Sequence, residues 1–153
     1  RTGASWQRVV NNLTEIKQKS PHVKLRINSV ISFMSIESVI DLQRQWHENK
    51  ILDISQFDIS LMLENSDYFN IQTLPMKHKN RLKAIIEGHI CWLATVKETK
   101  LQISWENVIM YMFEQDLTHI LNDTLEDIVL KDKHRKTDFF TVFTEFHDLF
   151  LNI

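Results

Sequence analysis

Seven histidines, one cysteine and 20 acidic residues are the groups able to carry acid–base, metal or nucleophilic chemistry. Their spacing gives little of it. His89 and Cys91 stand two positions apart, which is poor geometry for shared metal ligation on a helix. No second pair supplies the remaining ligands of a zinc site. The expectation is a helix histidine beside a buried thiol, and no metal. Asp116 and His119 stand about one helical turn apart and can pair at the surface. Asp132, Arg135 and Asp138 follow at steps of three on one helical face. They read as an intrahelical ion-pair set, or as a contact docking a tail helix on the rest of the chain. His134 sits among charges and reads as solvated. Lys77, Lys79, Arg81 and Lys83 read as the solvated face of a helix start. Two glycines cannot build a phosphate loop or a dinucleotide turn, and no nucleophile elbow is present.

The elements that position these groups follow from apolar periodicity. Ser5 to Gln18 predicts an amphipathic helix through Trp6, Val9, Val10, Leu13 and Ile16, with Ser5 as cap and Ser20-Pro21 as stop. Val23 to Phe33 alternates and predicts a strand; the apolar Val30 on its polar side predicts burial of both faces at its end. Ser35 is placed to cap a second helix with Ile36, Val39, Ile40, Gln43 and Trp46 on one stripe. A second strand is expected within Ile54 to Leu63. Helix, strand, helix, strand is the signature of a parallel sheet covered by helices.

From Tyr68 the pattern changes. Tyr68 to Leu74 predicts a short extended piece stopped by Pro75. Three helices then fit the spacing, over Lys77 to Val96, Ser104 to Asn122 and Lys131 to Leu151. The first carries Leu82, Ile85, Ile86, His89, Leu93 and Val96 on one face, interrupted by Gly88. The second carries Val108, Ile109, Met112, Phe113, Ile120 and Leu121. The last carries Phe139, Phe143, Phe146 and Phe150, a stripe that reads as core-facing. Residues 1–67 thus read as an αβ region and 68–153 as a helical region packed on it, with one continuous domain as the variant.

In parallel α/β folds, ligands bind beyond the C-terminal ends of the strands. That rule marks Ser32 and Ser35 after the first strand, and Glu64, Asn65, Ser66 and Asp67 after the second. Capping and turn chemistry explains the same residues without a ligand.

A chain of 153 residues with 43% hydrophobic and 25% charged residues is long enough for one real core. A net charge of −2 gives no basic face for nucleic acid and no polybasic membrane patch. One cysteine allows no intrachain disulfide, so a reducing, cytoplasmic setting is expected. The apolar runs are too short for a membrane span, and no signal-peptide pattern opens the chain. The start at Arg1 reads as a fragment whose N-terminal part lies elsewhere, or as a trimmed domain.

Four segments in order resemble the later part of radical S-adenosylmethionine proteins of the twitch-domain-containing type. RTGASWQRVVNNLTEI, through Arg1, Gly3, Trp6, Val9, Asn12 and Leu13, is similar to the start of the helix after that family's fourth barrel strand. KLRINSVISFMSIESVIDL resembles the next strand and helix; Ser32 matches, and Ser35 replaces the usual asparagine. Leu74, Pro75 and Lys79 fit a Leu-Pro-x-x-x-Lys segment. Asp132, Arg135, Phe139, Phe143 and Glu145 fit an Asp-x-x-Arg…Phe-Pro-Glu tail in which Thr144 replaces the proline. The resemblance covers most of the chain.

It implies an α/β fold: about two αβ units of an incomplete (β/α) barrel, then a mainly helical C-terminal region. It implies reductive cleavage of S-adenosylmethionine by a [4Fe–4S] cluster, on an unknown substrate. It makes Ser32, Ser35 and Arg1 candidates to contact the cosubstrate. One departure is decisive. The family holds its cluster with a Cys-x3-Cys-x2-Cys loop, and this chain has only Cys91. The implied partner is therefore an N-terminal part of the same protein that carries the loop, without which the chain is expected to be inactive. The alternative is a small helical interaction module without catalysis, with a partner groove near the phenylalanine stripe.

Overall fold

A computed structural model describes residues 5–61 and 69–150. The order is α1 (Trp6–Lys19), β1 (Ile27–Ile31), α2 (Ile36–Glu48), β2 (Phe57–Leu61), α3 (Met76–Thr95), α4 (Thr99–Glu114), α5 (Leu121–Arg135) and α6 (Phe139–Val142). Short 3₁₀ turns stand at Ile54–Gln56, Ile71–Thr73 and Thr118–Ile120, with a longer one at Thr144–Phe150. The fold is mixed α/β and mainly helical. β1 and β2 pair in parallel, from Ile27 opposite Phe57 to Ile31 opposite Leu61, as the alternation predicted. Among the described residues these are the two strands, and no barrel is formed. No helix among them is long and apolar enough to cross a membrane.

The α2 stripe is buried as its spacing dictates: Ile36, Val39, Ile40, Gln43 and Trp46 all face inward. On α3, Leu82, Ile86, His89 and Leu93 are buried, with Ile85 and Val96 packed at the margin. One apolar core runs from Ile31 through Trp105 to Leu149, so the αβ and helical regions share it. Gly88 lies on the outer side of α3, and a Cβ there would meet nothing within 4 Å.

Three helices end alike. After α3, Lys97 N–H goes to Ala94 O at 3.2 Å and Glu98 N–H to Leu93 O at 3.0 Å. This is a Schellman motif, which needs a left-handed residue after the helix. Lys97 takes that role at φ 60°, Lys50 at φ 57° after α2, and Lys136 at φ 56° after α5. A chain with two glycines fills these positions with lysine.

Several expectations are corrected. β1 starts at Ile27, four residues after Val23, and Val30 is 52% exposed, so its outer face is open to solvent. The piece ending at Leu74 is a 3₁₀ turn: Asn70 accepts the N–H of Gln72 at 2.9 Å, and its carbonyl accepts the Thr73 hydroxyl at 2.7 Å. The helix expected over Ser104 to Asn122 is broken into α4, the 3₁₀ turn Thr118–Ile120 and the start of α5, because Gln115 is extended and Asp116 turns the chain. Asp116 takes the N–H and the hydroxyl of Thr118, so it does not pair with His119 along a helix. The helix expected over Lys131 to Leu151 breaks at Lys136; Asp138 then caps α6 through the N–H of Phe140 at 2.9 Å. Ser5 stands at the start of α1 but its side chain makes no cap bond. Phe113 is 38% exposed, off the buried face of α4. Cys91 is exposed, since it points away from the face of α3 that carries His89. The basic run is not wholly solvated, because Lys79 is only 2% exposed.

Candidate functional site

The turn after β1 brings Ser32 and Ser35 together. Ser35 Oγ accepts the Ser32 N–H at 2.8 Å and lies 3.3 Å from Ser32 Oγ. Its own proton has Val30 O at 3.0 Å or Ser32 O at 3.2 Å to go to. Ser35 thus closes the strand end and makes no side-chain cap on α2. Both serines are half-buried. Arg1 and the segment Glu64 to Asp67 lie outside the described residues.

Between the serines, Phe33 points inward, 2% exposed, against Phe69 at 6.3 Å and Phe146 at 5.4 Å between ring centroids. Met34 points to a cavity of about 270 Å³. Its other walls are Phe69, which follows β2, and residues of α5, of α6 and of the turns on either side of α6. Asp132, Arg135, Phe139 and Phe143 all line it, with Lys131 and Asp138. Asp132 and Arg135 thus share a cavity with Met34, which follows β1, and with Phe69.

The chemistry of that cavity is amphipathic. Lys131 Nζ lies 4.8 Å from the centre of the Phe69 ring and pairs with Asp127 at 2.5 Å. Asp132 is used structurally: its carboxylate accepts the Thr137 hydroxyl at 2.6 Å and the N–H of Phe139 at 2.5 Å, tying α5 to α6. Arg135 is exposed at the rim. Aromatic walls, two cations and two carboxylates suit a small ligand with both an apolar body and charged groups.

The phenylalanine stripe is a packed cluster and not one helical face. Phe139 lies 4.7 Å from Phe143 and 6.4 Å from Phe146. Phe139 and Phe146 are buried, as a core-facing stripe should be.

A second polar cluster, unseen in the sequence, is structural. His89 is fully buried; its Nε2–H donates to Gln43 Oε1 at 2.7 Å, and its Nδ1 accepts from Arg44 Nε at 3.2 Å. Trp105 Nε1–H donates to the same Gln43 oxygen at 3.1 Å, which fixes the orientation of that amide. Burial, helped by the Arg44 charge, lowers the His89 pKa to about 4. The hydrogen bonds of this cluster join α2, α3 and α4. The sequence signal was a polar residue on each of two apolar stripes, Gln43 and His89.

Lys79 is buried with Gln115 O at 3.3 Å from its ammonium, and burial lowers its pKa while Asp116 opposes the shift. A groove of about 520 Å³ lies at the opposite end of the strands, between Lys17, His47, Asp53 and Trp92. Its Asp53 carboxylate is committed to the N–H and hydroxyl of Ser55, at 2.9 and 2.6 Å.

Among the described residues no three His, Cys, Asp or Glu side chains are grouped to hold a metal ion. Cys91, alone and exposed on α3, does not fit a [4Fe–4S] cluster, which takes cysteine thiolates in a set. No protein-family model, no curated protein and no solved structure matches the chain.

Proposed function

We propose that this chain is the C-terminal, ligand-facing part of a radical S-adenosylmethionine enzyme of the twitch-domain-containing type. The observation that carries the reading is the position of the tail motif. Asp132, Arg135, Phe139 and Phe143, which carry part of the resemblance, line the cavity beyond the parallel strand ends with Met34 of the β1–α2 turn. Ligands in parallel α/β folds bind at that end of a sheet. The two parallel strands are then a section of an incomplete (β/α) barrel whose other strands lie outside these 153 residues. A reducing cytoplasm suits both the single cysteine and the cluster.

In this reading the chain does not hold the cluster. Bound S-adenosylmethionine would supply radical chemistry on reductive cleavage, with any iron–sulfur cluster held by residues outside this chain. The part left to these residues is binding. Ser32 offers a half-buried hydroxyl at a strand end to the ribose or amino-acid part of the cosubstrate. Ser35 shapes the turn that presents it, and Arg1 stays a candidate on the resemblance alone. Lys131 and Arg135 attract carboxylate or phosphate on the substrate, while Phe139 and Phe143 exclude water from its apolar body.

The test is 5′-deoxyadenosine formation by the complete polypeptide that contains this chain, reconstituted with iron and sulfide under anaerobic conditions and reduced with dithionite. Formation of 5′-deoxyadenosine that needs both S-adenosylmethionine and reductant supports the reading. Reconstituted protein that binds no iron contradicts it.

A further inference from the structure

The segment Thr144–Phe150 crosses the end of β1 and is fastened by side chains. Phe146 is 1% exposed and packs edge-on against Phe33, the residue between Ser32 and Met34. It also meets the His78 ring at 5.6 Å and the Arg81 guanidinium at 5.6 Å. Two positions on, Asp148 pairs with Lys77 and with His78, whose Nε2 lies 3.0 Å from Asp148 Oδ1. The Phe146 N–H goes to Phe143 O, next to the segment itself, at 3.1 Å.

Closure leaves buried polar atoms unpaired. Nδ1 of His78 has no hydrogen-bond partner, although that side chain is only 5% exposed. Nε and Nη2 of Arg81 are likewise buried without partners, while Nη1 pairs with Glu37 at 2.8 Å. Each such atom costs free energy that water would return. A cavity of about 250 Å³ beside the clasp, lined by Pro75, His78, Leu121, Asp148 and Leu149, shows that packing there is incomplete. The clasp itself is open to screening, since Lys77 is 78% and Asp148 33% exposed.

We propose that residues 144–150 form a releasable strap over the C-terminal end of β1. The Asp148 clasp on Lys77 and His78 holds it shut, and its release uncovers Phe33 and the Ser32–Ser35 turn. Opening hydrates His78 and Arg81 and frees the strand end for a ligand, while α3 and α4 keep their own packing. The role as a gate rests on the ligand site proposed above; the strap's separate opening does not.

The test is amide hydrogen exchange, followed by mass spectrometry on the full chain without ligand. Asp148→Asn should speed exchange in peptides covering 144–150 about ten-fold and leave α3 and α4 unchanged. Raising salt from about 0.01 M to about 1 M on the unaltered protein cuts the screening length from roughly 30 Å to 3 Å and should speed the same peptides selectively. Glu87→Gln, which removes an exposed ion pair with Lys83 further along α3, should change nothing in 144–150. Unchanged exchange in 144–150 on both the substitution and added salt overturns the strap. So does acceleration shared equally by α3 and α4, because the segment would then open only with the whole domain. Absence of 5′-deoxyadenosine chemistry would remove the ligand reading and leave these outcomes as they stand.

Discussion

His89 Nε2 lies 2.7 Å from Gln43 Oε1, joining residues 46 positions apart in the sequence at the centre of the helical core. Because Trp105 donates to the same oxygen, Gln43→Leu would strand two buried donors at once. The expected loss is about 3 kcal/mol, read from urea unfolding. A loss below about 1 kcal/mol would mean that the pairings contribute little.

The same histidine sets a pH dependence. Its folded pKa of about 4 lies below the unfolded value of 6.5, so the unfolded chain takes up the proton first. Stability is then full above 6.5 and falls as the pH drops toward about 4, by on the order of 3 kcal/mol. His78, lowered chiefly by burial, acts in the same direction. His89→Gln should flatten most of that slope in urea midpoints measured across this range. A slope unchanged by the substitution would assign it to other groups.

The lysines at helix ends give a prediction of opposite sign. Lys97 sits at φ 60° in the Schellman turn after α3, where a side chain is strained and glycine is not. Lys97→Gly should raise stability by about 0.5–1 kcal/mol. Its side chain is exposed, so nothing else is removed. An equal loss in urea unfolding would show that the lysine makes a compensating contact.

Lys79 tests how a buried charge is tolerated. Its ammonium has one backbone acceptor, at 3.3 Å, and feels the charge of Asp116. Replacement by an apolar side chain of similar length removes the desolvation cost along with that bond. Lys79→Met should therefore unfold within about 1 kcal/mol of the parent, or above it. A loss beyond about 3 kcal/mol would show that the charge is needed for folding.

Much of the first half was legible in the sequence. The α2 stripe and the parallel pairing came from strong periodicity, 3.6 on α2 and two along the strands. What was illegible lay where the chain turns without glycine or proline. Asp116 reverses α4 through hydrogen bonds to Thr118, and Lys136 ends α5 in the left-handed region, so two helices read as running through their breaks. Of the candidate site, the serine turn was marked by the strand-end rule. The partnership of Met34 and Phe69 with Asp132 and Arg135 was not, because it joins residues far apart in the sequence through tertiary packing alone. His78 and Asp148 escaped notice for the same reason, being isolated in sequence and paired only by the fold.

The most direct test of the proposed function is the coding sequence that precedes Arg1 in the gene. An in-frame segment encoding a Cys-x3-Cys-x2-Cys loop, with room for further αβ units, is the expected result. A start codon shortly before Arg1, with no such loop encoded upstream, would contradict the assignment to a radical S-adenosylmethionine enzyme.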